Sequence, residues 1–80
     1  MSREILKLFI MAWSEYEIGS RLEMNEHGDR IKVFTRSGSS STTITLGERA
    51  YSAVWDGKFV KVTLKNETRL YSDTSNYKKV

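Results

Sequence analysis

The only histidine of the chain, His27, stands in "EMNEHGD" with Glu23, Glu26 and Asp29 close by in sequence. An imidazole titrates near neutrality, and carboxylates complete the shell of a cation, so this segment has the residue types of a general base or a metal ligand. One imidazole with local acids fixes no geometry, however, and Asn, Asp and Gly are also what a hairpin connection uses. The segment is therefore read as a solvated turn. Serine and threonine crowd residues 37–45, but there is no G-x-S-x-G elbow and no second histidine to complete a triad. The phosphate-loop and dinucleotide glycine patterns are also missing. "SGSSS" at 37–41 has backbone N–H groups that could meet a phosphate, yet its composition is ordinary loop chemistry. With no cysteine there is no disulfide framework, no thiolate metal site and no cysteine nucleophile. The expectation is a non-enzymatic protein with neither metal nor cofactor.

Binding chemistry is better represented. With the two-residue period of a strand, Lys32, Phe34 and Arg36 point away from Ile31 and Val33, and Phe59, Lys61 and Lys65 point away from Val60, Val62 and Leu64. Tyr71 is added to this set from the last strand. Rings beside cations suit a protein interface, where aromatic residues and arginine anchor binding. They also suit single-stranded nucleic acid, which stacks its bases on rings and lays its phosphates on cations. If a further layer covered them, the same rings would form a second small core instead. The leading expectation is a small regulator or inhibitor that binds another protein through Lys32, Phe34, Arg36, Phe59, Lys61, Lys65 and Tyr71. The alternative is a module that binds single-stranded RNA or DNA. The net charge of +3 suits an acidic partner and lies wholly in residues 41–80, because residues 1–40 balance.

The elements that must hold these residues can be parsed from the glycines. Gly19, Gly28, Gly38, Gly47 and Gly57 recur every nine or ten residues, the turn spacing of short antiparallel strands. "RLEM" and "RIKVF" flank the turn at His27, "TTITL" and "AYSAVW" follow, and "KFVKVTLK" and "RLYS" make a last hairpin. Ahead of Gly19, residues Ile5, Leu8, Phe9, Ala12 and Tyr16 have helical spacing and predict a helix over 3–17. A buried strand through "ILKLFIMAW" is the competing pattern, since Leu6, Leu8, Ile10 and Ala12 alternate. Trp13 and Trp55 are expected to pack. The predicted fold is α+β, an N-terminal helix on a curled antiparallel sheet of about five strands. A small all-β barrel of the SH3, OB or Sm kind is the alternative. One domain is expected over the 80 residues, with 73–80 a frayed tail. The longest apolar run, "LFIMAW", is far short of the roughly 20 residues that span a bilayer, so a cytoplasmic protein without membrane contact is expected.

One resemblance accompanies this reading. "WDGKFVKVTLKN", residues 55–66, is similar to the Asp-containing segment and following alternating strand of Sm-like RNA-binding proteins. The layout of a helix followed by about five strands resembles theirs as well. The family's glycine-bearing upstream strand has no counterpart in "TTITLGERAY", and no RNA-binding residues are carried over. In size and style the chain also resembles small accessory proteins of phages and mobile elements.

Overall fold

The computed structural model describes residues 12–80. Their strands are β1 Leu22–Met24, β2 Arg30–Phe34, β3 Ser41–Thr45, β4 Ala50–Asp56, β5 Phe59–Leu64, β6 Thr68–Tyr71 and β7 Tyr77–Lys79. All neighbours pair antiparallel, in a three-stranded sheet β1-β2-β3 and a four-stranded sheet β4-β5-β6-β7.

Strand alternation explains why these two sheets face each other. On β2, Ile31 and Val33 are buried while Arg30 and Lys32 are exposed; on β5, Val60, Val62 and Leu64 are buried while Lys61 is exposed. Ile31, Val33 and Ile44 of the first sheet share one core with Val60, Val62, Leu64 and Tyr71 of the second. Each of the wholly buried aliphatic side chains, Ile31, Ile44, Val33, Val60 and Val62, contributes about 1.5–3 kcal/mol of burial.

Turn chemistry sets the registers. Asp56 pairs with Phe59, so Gly57 and Lys58 form a two-residue loop. Gly57 has φ +60 and, among the described residues, no non-glycine residue has positive φ, which gives the type II′ turn whose twist matches a hairpin. In the β1–β2 turn, the Arg30 N–H donates to Asn25 Oδ1 at 3.0 Å, and Asn25 Nδ2 donates to Asp29 Oδ1 at 2.7 Å. Gly28 then joins the sheets: the Ala50 N–H donates to its carbonyl at 2.8 Å. A Cβ on Gly28 would lie 3.2 Å from the Ala50 oxygen and 3.0 Å from Arg49 Cγ.

Over the described residues the architecture is all-β, which corrects the predicted helix-on-sheet fold and fits the small all-β alternative. Residues 3–11 of the predicted helix, and most of the competing strand, lie outside the described residues. Within 12–17 the chain makes a single turn. Ser14 donates through its N–H and its Oγ to Glu17 Oε1, both at 3.0 Å, and the N–H groups of Glu17 and Ile18 donate to the Ser14 carbonyl at 3.0 Å. Gly19, at φ +80, reverses the chain before a second turn forms. Trp13 is buried, edge-on to Trp55 with ring centroids 5.9 Å apart. The second sheet thus covers the first, as the helix was expected to do. Residues 73–80 also differ from the expected frayed tail. Asp73 Oδ1 accepts the N–H groups of Ser75 and Asn76 at 2.7 Å, folding the chain back so that Tyr77–Lys79 pair with β6. No helix of the described residues is long and apolar enough to cross a membrane.

Candidate functional site

Because the two sheets bury their inner faces together, their outer faces look in opposite directions. Lys32 and Phe34 lie on the outer face of the first sheet, with Arg36 just beyond the end of β2. Phe59 and Lys61 lie on the outer face of the second, with Lys65 in the turn after β5. The set expected to form one surface is therefore divided between two. Tyr71 belongs to neither. It is paired with Val60, is only 2% exposed, and belongs to the core. Its register with the buried Val60 turns the ring inward, a placement that its neighbours in sequence do not reveal.

The rings and the cations have different exposure. Phe34 is half-buried beneath Arg21, whose guanidinium carbon is 4.1 Å from the ring centroid. Phe59 is half-buried beneath Lys78, whose Nζ is 5.1 Å from the ring centroid. Lys32, Arg36, Lys61 and Lys65 are all exposed. What the solvent meets is consequently cationic, with rings beneath it.

The outer face of the second sheet has the more continuous arrangement. Register places Val54, Lys61, Leu70 and Lys78 side by side across β4, β5, β6 and β7. Adjacent strands are about 4.8 Å apart, so Lys61 and Lys78 stand roughly 10 Å from one another, across Leu70. Val54 is 53% exposed. Lys58 and Lys65 extend the cationic row into the turns at the two ends of β5. Asp56, beside Phe59, is the one carboxylate at the strand positions of this face among the described residues. None of Lys58, Lys61, Lys65 and Lys78 pairs with a described carboxylate. Lys78 was absent from the expected set because it falls in the segment taken for a tail; only its pairing with Leu70 brings it here.

Elsewhere charge is spent internally. Arg69, on the inner side of β6, donates through Nε to Glu67, through Nη1 to the Tyr71 hydroxyl at 3.0 Å and to the Leu46 carbonyl at 3.5 Å, and through Nη2 to Glu48 at 3.4 Å. Burial acts to lower its pKa, but the Glu67 and Tyr71 hydrogen bonds outweigh this and raise it further. The Arg69 hydrogen bond in turn holds the Glu67 carboxyl below the usual carboxylate range, with Lys79 Nζ 3.4 Å away adding to the effect. Arg69 thus ties the β3–β4 connection to the second sheet. His27 is exposed, and the Asn25 hydrogen bond holds Asp29 below its ordinary pKa. Among the described residues no three His, Asp or Glu side chains come together in a way that could hold a metal ion.

No protein-family model, curated protein or solved structure matches the chain.

Proposed function

We propose that this protein binds single-stranded nucleic acid, RNA or DNA, on the outer face of its four-stranded sheet. The observation that carries this reading is the row Lys61–Leu70–Lys78, continued by Lys58 and Lys65, with Phe59 beneath Lys78. Protein interfaces are depleted of lysine at their centres and anchored by rings. Here Tyr71 is withdrawn into the core and Phe59 is half-covered, while the lysines stand in solvent. A polyanion matches such a face better than a protein partner does. Phosphates would take up positions along the lysines, and a base would displace the Lys78 side chain to reach the face of Phe59. The apolar surfaces of Val54 and Leu70 would support neighbouring bases or sugars.

Fluorescence anisotropy of a labelled single-stranded oligonucleotide at low salt tests the proposal. Binding is expected with the native chain and loss of binding with Lys61→Glu and Lys78→Glu combined, with the circular dichroism spectrum unchanged. No anisotropy change at low salt with either RNA or DNA would remove the reading. Capture of a protein by the native chain, but not by that double variant, would return the face to a protein partner.

A further inference from the structure

The edges of the two sheets are unequally protected. On β7 the edge is three residues long and carries Lys78 and Lys79. On β4 the pairing is irregular between Ala50 and Ser52, and the Trp55 indole N–H donates across to the Ser20 carbonyl at 2.8 Å, against the β1 side of the first sheet. Short length, lysines and bulges are the usual means of keeping a strand edge from pairing. β3 has none of them. It is five residues long, "STTIT", without charge, proline or bulge, and among the described strands pairs only with β2.

Its hydrogen-bond phase can be read from the ladder. The Leu46 N–H donates to Asp29 at 2.9 Å and the Thr35 N–H to Ser40 at 3.0 Å. Antiparallel bonding alternates, so Thr42 and Ile44 exchange bonds with β2. Ser41, Thr43 and Thr45 therefore direct their N–H and C=O groups to the outer edge. That edge opens onto a groove of about 460 Å³, with Thr43 and Thr45 on one wall and Arg69, Tyr71, Ser75 and Tyr77 on the other. The second sheet has one strand more than the first, and Tyr77 on this last strand faces inward yet is 42% exposed. The groove is the position that a fourth strand of the first sheet would occupy.

We propose that β3 accepts an acidic extended peptide as an added strand in this groove. Backbone bonds to Ser41, Thr43 and Thr45 provide the register, and the peptide's inward side chains cover Tyr77. Its outward side chains lie next to Thr43 and Thr45, about 10 Å or two strand spacings from the β2 residues beyond them. Those residues are Lys32 and Arg30, both exposed and neither within ion-pair distance of a described carboxylate, with Glu23 opposite Lys32 on β1 and Asp29 next to Arg30 in sequence; on the far wall the charged group is Arg69. The outer face of the first sheet carries Arg21, Arg30 and Lys32 against Glu23, so an incoming strand meets a net positive face, which glutamate or aspartate at alternate positions complements. This surface is separate from the lysine face, so either proposal stands without the other.

The probe is a synthetic peptide of about six residues, a common strand length, alternating glutamate and valine. Its lysine–valine counterpart and an N-methylated form serve as controls. The acidic peptide is expected to bind, to slow exchange of the Thr43 and Thr45 amide protons, and to exceed both controls by at least about tenfold. Thr43→Pro removes an N–H that β2 does not use, and proline is tolerated on an outer edge. This variant should keep the fold and lose the peptide. Equal binding by the native chain and Thr43→Pro, or no binding by either, overturns the proposal. Two other occupants would overturn it as well: a second copy, if the native chain sediments as a dimer and Thr43→Pro as a monomer, or residues 1–11, if deleting them exposes the Thr43 amide to exchange.

Discussion

Tyr71 provides the sharpest test of how core and surface are divided. Its ring is 2% exposed and lies 4.8 Å from the Tyr77 ring; its carbonyl accepts the Trp13 indole N–H at 2.8 Å, and its hydroxyl accepts Arg69 Nη1 at 3.0 Å. Tyr71→Phe keeps the ring and removes one hydrogen bond from an arginine that retains Glu67, Glu48 and Leu46 as partners. The expected cost is about 0.5–1 kcal/mol. Tyr71→Ala removes the ring from between the sheets, and truncating a buried aromatic costs about 3–5 kcal/mol. A domain of this length has about 4–12 kcal/mol in total. Urea unfolding followed by Trp13 and Trp55 fluorescence measures the difference. With a slope of about 1 kcal/mol per molar urea, the alanine variant should lose roughly 3–5 M from its midpoint or have no folded baseline, and the phenylalanine variant about 1 M or less. An alanine variant that unfolds within about 0.5 M of the native chain, a shift below about 0.5 kcal/mol at that slope, would refute the core placement of Tyr71 and the two-sheet packing that produces it.

If Lys58, Lys61, Lys65 and Lys78 each neutralise one phosphate, log affinity for a single strand should fall with log salt at a slope of about −2.8, and Lys61→Gln with Lys78→Gln should reduce this to about −1.4. Between 50 and 200 mM salt, anisotropy titrations should then show losses of about 50-fold for the native chain and about 7-fold for the variant. The Glu67 pKa is lowered in the folded state by the Arg69 hydrogen bond, so its contribution is complete above the unfolded carboxyl value and is lost as pH falls through the lower folded one. Urea midpoints should accordingly drop below about pH 4.3, and Glu67→Gln should flatten that part of the profile. Gly28→Ala combines positive φ with backbone crowding at Ala50, whereas Gly38→Ala meets open space. Both carry the left-handed backbone cost of about 1–2 kcal/mol, so thermal unfolding should show Gly28→Ala as the more destabilised of the two.

The strands were largely legible in the sequence, because two-residue alternation and regularly spaced glycines are local signals. Val60, Val62 and Leu64 could be assigned to a core from their own strand alone, and Asp56-Gly57 to a hairpin. The N-terminal expectation fails over 12–17 for a local reason: Ser14 and Glu17 close one turn, and Gly19 turns the chain away before helical spacing can continue. Strand β7 was missed because "YKK" has no apolar alternation; what orders it is the Asp73 turn and its pairing with β6.

By itself the sequence determined which side of each strand is apolar, since that depends only on residue order and the pleat. Only the tertiary structure decided how those faces were combined. It set the outer faces of the two sheets back to back, drew Tyr71 inward through its register with Val60, and brought Lys78 beside Leu70 and over Phe59. The physical reason is that pairing between strands is a long-range choice: a side chain's own alternation says that it points to one face, and the strands packed around it determine whether that face meets solvent, a second sheet or a partner.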